Sequence, residues 1–347
     1  MTPFISVIVP VYKVPLDFLR VCLDSLQAQT MQESEFIIVS DGAPEAECSV
    51  CEEYATKDTR FKFFKREHAG VSATRNYGIN QAQGEYITFV DSDDKISPNF
   101  CSSIYNKAYK CNSDILLFEQ ALEKRKTIFN FSLYNHDISQ ISSNQYKDLL
   151  TRLYLPKACN GLILSGVCCK AYRQSFINNN FLRFEPNLHY SEDQFFCLKA
   201  FLRTQKITYL SNSPLYTQVH RISSSSFAYK SNYEKEVYYY LEKIRHIAEI
   251  NSNLIDLKLF YDRAIQCILY TLDKCIFRPD HNITFKARKS LFKNFVSNKY
   301  CKEALLKYDK SNFSLPERIA CSLCNKEAFW TLFLVSKKWH IQYILGK

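Results

Sequence analysis

FISVIVPVY, residues 4–12, is a nearly unbroken run of β-branched and aromatic side chains. A run without polar alternation describes a strand covered on both faces, as in the middle of a parallel sheet. Downstream, Phe18, Leu19, Cys22, Leu23 and Leu26 recur at helical spacing. EFIIVS (35–40) then gives a second strand that stops at Asp41-Gly42. A helix around 44–56 leads to a third strand at 61–65. Ser72 is placed to N-cap a helix running to Gln83, with Gly84 ending it. A fourth strand, 85–90, runs into Asp91-Ser92-Asp93-Asp94. Strands and helices alternating at this spacing predict a doubly wound α/β fold with ligands at the carboxyl ends of the strands. Tyr12, Asp41 and Asp91 all fall at those ends.

Further along, 114–118 is strand-like, helices are expected around 144–155 and 192–204, and 215–219 is strand-like again. From about 232 the pattern is helical. Leu254, Leu257, Tyr261, Ala264, Ile268, Leu272 and Cys275 form an amphipathic stripe that reads as core packing. The expected division is a catalytic domain over 1–215 and a helical, basic domain over 216–347.

Charge follows the same division. The chain of 347 residues carries a formal charge of +10, yet 1–215 holds 23 Lys and Arg against 23 Asp and Glu, and 216–347 holds 22 against 12. A basic region can meet nucleic acid, anionic lipid or an acidic acceptor. The aromatics at 238–240 lie within a helical pattern and read as packing groups rather than base-stacking platforms, so no nucleic-acid partner is expected. Segments such as 285–289 and 330–339, with Lys337 and Lys338, mix cations with aromatics and suit an anionic membrane surface. The longest apolar runs, such as 328–335, are far short of the ~20 residues a span requires. The N-terminus enters a strand with no basic leader before it, so a reduced, cytoplasmic protein is expected, associated peripherally with the inner face of the cell membrane. Its 14 cysteines then act as small hydrophobes. The pairs Cys48/Cys51 and Cys321/Cys324 lack the histidine spacing of a zinc site.

Glycine is scarce: seven residues, where average usage of roughly 7% would give about twenty-four. There is neither G-x-G-x-x-G nor G-x-x-x-x-G-K-[ST], so no glycine-rich loop cradles a phosphate here. The glycine shortage and PVYKVP (10–15) speak against a sugar-nucleotide pyrophosphorylase, which needs such a loop after its first strand. Asp91, Asp93 and Asp94 crowd three like charges after one strand. A hard divalent cation bound through oxygen is the natural neutraliser, and a substrate diphosphate can complete its coordination.

The ordered series SVIVPVY (6–12), CLDSLQAQT (22–30), EFIIVSDG (35–42), AGVSATRNYGI (69–79), GEYITFVDSDD (84–94) and SEDQFF (191–196) resembles the family 2 glycosyltransferases of the GT-A fold. The likeness covers about residues 4–215. It implies a Rossmann-like, mostly parallel sheet flanked by helices, followed here by a mainly helical region. It also implies inverting transfer of a hexosyl or N-acetylhexosaminyl group from a UDP-sugar to a hydroxyl of a glycan or lipid-linked glycan, in making a surface polysaccharide, capsule or lipopolysaccharide.

Carried over by resemblance, Pro10, Val11 and Tyr12 line the uracil pocket and Asp41 accepts a hydrogen bond from the base. The family's first acid at this strand end is replaced by Ser40. Arg75 reaches the nucleotide or its phosphates, with a surface salt bridge as the alternative. Asp91 and Ser92 lie near the ribose, while Asp93 binds Mn2+ or Mg2+; the resemblance fixes no role for Asp94. The pair Glu192-Asp193 supplies the base, Asp193 removing the acceptor's proton and Glu192 shaping the site; the other reading is an acidic helix start capped by Ser191. His220 is a further metal or diphosphate contact by the same likeness, or an exposed loop histidine, and Arg221 screens the departing diphosphate. CNGLILSGVCCKAYR (159–173) borders the donor sugar. The competing functional class is a catalytically inactive, glycosyltransferase-like scaffold at the membrane surface.

Overall fold

In a computed structural model of the chain, the residues described are 3–125, 127–155, 164–211, 214–221, 233–278 and 283–344, without the side chains of 337–344. Residues 159–163 and the side chains of Lys337 and Lys338 therefore lie outside the description. Two compact units, Met1–Arg221 and Ile222–Lys347, divide the chain.

The first unit begins with β1 (Ile5–Val11), α1 (Leu16–Gln27), β2 (Ser34–Asp41), α2 (Glu45–Lys57), β3 (Phe61–Arg66), α3 (Val71–Gln81) and β4 (Tyr86–Phe89). β1 pairs in parallel with both β2 and β4, setting Ile8 opposite Ile37 and Phe89, and β3 extends the row beside β2. Every residue of β2 is buried, and β1 is buried but for Pro10, as the absence of alternation requires. α1 presents Leu19, Cys22, Leu23 and Leu26 to this core, each burial worth roughly 1.5–3 kcal/mol. α3 packs so close to the sheet that a Cβ on Gly78 would stand 2.4 Å from Ile8 Cγ2, so a larger residue would push helix and strand apart.

After β5 (Lys95–Ile96) and α4 (Phe100–Lys110) come β6 (Ile115–Phe118), β7 (Gln120–Lys124), β8 (Thr127–Phe131) and α5 (Ser143–Tyr154). β9 (Lys170–Arg173), α6 (Gln174–Asn179), α7 (Glu192–Phe201), β10 (Ile207–Leu210) and β11 (Tyr216–Val219) complete the unit. The main sheet has the order β10-β6-β9-β4-β1-β2-β3, with β9 antiparallel to both its neighbours. A second sheet, β5-β11-β7-β8, is absent from the sequence reading. Its β8 carries Ile128, Phe129 and Phe131 yet is largely exposed, and at five residues it offers none of the long buried runs that mark the main sheet. Because β11 pairs with β5 and β7, residues 216–219 belong with the first unit, and the division falls at 221/222 rather than 215/216.

Ser72 does not cap α3: the cap lies two residues earlier, at Gly70 with φ 88°, and the helix starts at Val71. The Ser72 hydroxyl is buried without a partner. Ser191 stands at the cap position of α7, but at φ 53° its side chain makes no capping hydrogen bond.

The second unit is helical: α8 (Tyr233–Ile250), α9 (Leu257–Thr271), a π-helical turn (Leu272–Ile276), α10 (Phe285–Val296), α11 (Lys299–Lys307), α12 (Leu315–Asn325) and α13 (Phe329–Ile344). The apolar stripe is not one helix. Asp256 accepts from the Lys258 N–H and starts α9 after Leu254, while Tyr261, Ala264 and Ile268 on α9 and Cys275 in the π turn are buried. No helix among the described residues is long and apolar enough to cross a membrane. The described cysteines are free thiols, and Cys48, Cys51, Cys321 and Cys324 are buried. Burial pushes the Cys51 and Cys321 thiols up to about 12 and about 11, which keeps them protonated and unreactive.

Candidate active site

The parallel register brings the carboxyl ends of β1, β2 and β4 side by side, and two clusters form there. The first lies beyond β1 and β2. The Tyr12 ring, 39% exposed, stacks on His68 with centroids 4.4 Å apart and planes 17° from parallel, and Lys13 Nζ sits 4.9 Å from the same ring centroid. His68 Nδ1 is 3.0 Å from both the carbonyl oxygen and Oδ2 of Asp41. Both are acceptors, so Nδ1 carries the proton.

The Asp41 carboxylate also accepts the Ala69 N–H at 2.7 Å and the Gly70 N–H at 3.1 Å. It therefore ties the 68–70 loop and the start of α3 to the end of β2, a task neither the nucleobase role nor a simple turn describes. Gly42 is required beside it, with φ 67° and a position where a Cβ would meet His68 at 2.9 Å. Val11, the last residue of β1, is fully buried, and Pro10 is half-buried. His68 escaped the sequence reading, although it directly precedes the quoted AGVSATRN segment.

The second cluster gathers around Arg75 on α3, which is 4% exposed. Its Nη2 lies 3.0 Å from Asp91 Oδ1, and its Nη1 lies 2.5 Å from Asp193 Oδ1 and 3.6 Å from Glu192 Oε1. One guanidinium thus faces three carboxylates drawn from the end of β4 and the first turn of α7. It is buried rather than a surface salt bridge, and its Nε has no hydrogen-bond partner. Burial pushes the Asp193 carboxyl up to about 7; Arg75 opposes that rise, and Glu192 and Asp91 add to it. A carboxylate poised near neutrality is what proton removal from a hydroxyl requires.

The same turn carries the other acids. Asp93 Oδ2 accepts from Arg221 Nε at 2.5 Å. Burial and then the Asp91 charge hold the Asp93 carboxyl above its usual range despite Arg221. Asp94 is buried between the Tyr216 hydroxyl, which donates to Oδ2, and the Val219 N–H at 2.8 Å. Burial raises its pKa strongly. Asp94 therefore clamps β11 to the acidic turn, a role only pairing distant in sequence reveals. Ser92 is buried in that turn. His220 is exposed, and its backbone N–H donates to the Glu123 carbonyl at 2.9 Å.

Among the described residues, no group of three or more His, Cys, Asp and Glu side chains could hold a metal ion alone, which leaves His220 outside any such group. Asp91 and Asp93 still offer hard oxygen donors, and burial together with the Asp91 charge raises the Asp93 carboxyl despite Arg221. This donor set fits a divalent ion that takes most of its ligands from a bound diphosphate, with Arg221 as the resident cation.

Residues 6–181 match the family model described as Glycosyl transferase family 2. The putative glycosyltransferase EpsH of Bacillus subtilis is 35% identical over 239 residues, 68% of this chain and 65% of that protein. Glycosyltransferase GlyA of Streptococcus pneumoniae is 32% identical over 210 residues, 60% of this chain and 30% of that protein. The chain thus spans less than two thirds of the length of these relatives. Among solved structures, S. aureus TarS 1–349 covers 99% of this chain and 92% of its own, with TM-score 0.64 and 19% identity. The same protein in complex with UDP-GlcNAc gives TM-score 0.64 at 20% identity. At such identity the likeness is one of fold, the GT-A fold with a C-terminal part.

Proposed function

The chain belongs to glycosyl transferase family 2, and on that premise we propose that it transfers a sugar from a UDP-sugar to a hydroxyl of a glycan or lipid-linked glycan, with inversion, in surface-polysaccharide synthesis. The observation that carries the reading is the Arg75 cluster, which sets Asp91 and the Glu192-Asp193 pair around one guanidinium. The complex of TarS 1–349 with UDP-GlcNAc supports a UDP-sugar donor.

In this mechanism Asp193 accepts the proton of the acceptor hydroxyl as that oxygen bonds to the anomeric carbon and the bond to the diphosphate breaks on the opposite face. Arg75 holds Asp193 in place and opposes the rise in its pKa, while the Glu192 charge adds to that rise. Asp93 would hold Mn2+ or Mg2+, which when bound neutralises charge on the departing diphosphate. Arg221, now on Asp93, is the cation nearest that leaving group's seat. Tyr12 and His68 give the flat surface on which the base would rest, and Asp41 fixes the loop that carries His68.

The helical unit extends the proposal to an anionic membrane surface. On α10 and α13, Phe285 and Trp330 are exposed with ring centroids 6.0 Å apart, and Leu334 is exposed one turn beyond Trp330. Lys286, Lys289 and Lys293 lie on the same α10. Co-sedimentation with vesicles that is indifferent to anionic lipid overturns this extension.

A panel of UDP-sugars assayed for UDP release, with Mn2+ and with chelator, tests the transferase reading. The expected result is release with one donor that depends on metal and is lost in Asp193→Asn. No release with any donor overturns the reading in favour of the inactive scaffold.

A further inference from the structure

The second unit contains a cavity of about 700 Å³ between α8 and α11, within the range typical of ligand pockets. Its lining is unusual for a groove between helices, because every residue is aromatic or polar and none is aliphatic. α8 contributes Tyr239, Glu242, His246 and Glu249, which recur at helical spacing along one face. α11 contributes Tyr300 and Glu303, with Lys299 at the rim.

The polar groups are held in fixed geometry. Arg245 donates to Glu249 Oε1 at 2.8 Å and pairs with Glu303 Oε2. Glu303 Oε1 also accepts from the Tyr261 hydroxyl and from Lys307 Nζ, each at 2.8 Å. Burial would raise the Glu303 carboxyl, but its bonds to Lys307, Arg245 and Tyr261 hold it down to about 2, so it stays an anion. The Tyr239 ring lies 5.0 Å below Lys243 Nζ, and the Tyr300 ring lies 4.7 Å from Lys299 Nζ.

The charge balance narrows the ligand. Lys243, Arg245 and Lys299 face Glu242, Glu249 and Glu303, three cations against three anions. The carboxylates take up the lining cations, so the lining leaves no net positive charge for a phosphate or a nucleotide, and it has no aliphatic floor for a lipid chain or an apolar peptide. Alternating donors and acceptors beside tyrosine rings suit a neutral polyhydroxylated ring. Its hydroxyls satisfy both signs of charge, and its C–H faces lie against an aromatic plane.

We infer that the α8–α11 cavity is a binding site for neutral sugar residues of a glycan. Identifying that glycan with the acceptor rests on the transferase reading; the binding itself does not.

The full chain, without donor nucleotide, is titrated with chitotetraose, cellotetraose and β-galactotetraose, and with inorganic pyrophosphate as the anionic arm, by saturation-transfer NMR and calorimetry. Saturable binding of at least one neutral oligosaccharide is expected, weakened at least about tenfold in Glu242→Ala/His246→Ala, a change confined to exposed polar positions, and in Tyr239→Ala. Melting curves confirm that each variant is folded. Three results overturn the inference: no neutral oligosaccharide binds, binding is unchanged in folded variants of both kinds, or pyrophosphate binds there in preference to sugar. Because the binding is read without donor, a wild-type protein that binds sugar yet releases no UDP would sink the transferase reading and leave this site standing.

Discussion

Asp193→Asn should cost turnover and stabilise the protein, by an amount that grows with pH. Burial holds the native Asp193 carboxyl near 7, against 3.8 for an aspartate free in water. The native state therefore binds this proton more tightly than the unfolded chain does. Stability from this group is fully present below about 3.8 and is lost as pH rises through about 7. A rise from 3.8 to about 7 corresponds to about 4 kcal/mol at 1.36 kcal/mol per pH unit, an upper figure because the side chain is 26% exposed. Asparagine removes the titration without orphaning Arg75, which keeps Asp91 at 3.0 Å and Glu192 at 3.6 Å. Urea unfolding of both proteins at several values between pH 4 and pH 8 measures the difference. The variant should gain on the wild type steadily across that window, up to a few kcal/mol at pH 8. A difference independent of pH, or a variant that loses ground as pH rises, refutes the assignment of Asp193 as a buried, proton-retaining carboxyl.

The remaining expectations follow from the same geometry. Arg75→Met leaves three carboxylates without their shared cation; it should cost about 3–5 kcal/mol in urea unfolding and move the alkaline-rising limb of the UDP-release pH profile upward from near 7. A limb that stays in place would separate Arg75 from the base. Asp93→Ala should abolish metal-dependent UDP release while leaving the melting temperature at or above the wild-type value, because the lost carboxyl is one that burial strains; retained metal-dependent release would remove Asp93 from the metal site. Gly42→Ala forces a side chain into φ 67° and against His68 at 2.9 Å, and should lower stability by about 1–3 kcal/mol by thermal melting.

Much of this molecule was legible in the chain. The strands of residues 4–90 announce themselves because both faces are covered, so their apolar runs are unbroken, and their ends coincide with Tyr12, Asp41 and Asp91. The second sheet was not legible: β8 is five residues long with its apolar side chains largely exposed, and β5 is two residues long, so neither leaves the long buried run that marks the main strands. Ser72 and Ser191 show the limit of local capping rules. Asp41, 28 residues before Ala69, instead holds the Ala69 and Gly70 N–H groups just ahead of α3, and Ser191, at φ 53°, makes no capping hydrogen bond.

The sequence by itself determined which residue types lie at the strand ends, because hydrophobic periodicity is local and needs no partner to be read. It determined equally that no glycine loop cradles a phosphate and that the basic excess lies in the helical part. Only the tertiary structure decided which charges share a site. That Arg75 holds Asp91 and Asp193 together, that Arg221 sits on Asp93, and that Tyr216 and Val219 clamp Asp94 depend on pairings across 16 to 128 positions. Electrostatic pairing falls off with distance in space and is indifferent to distance along the chain, so no local pattern encodes it.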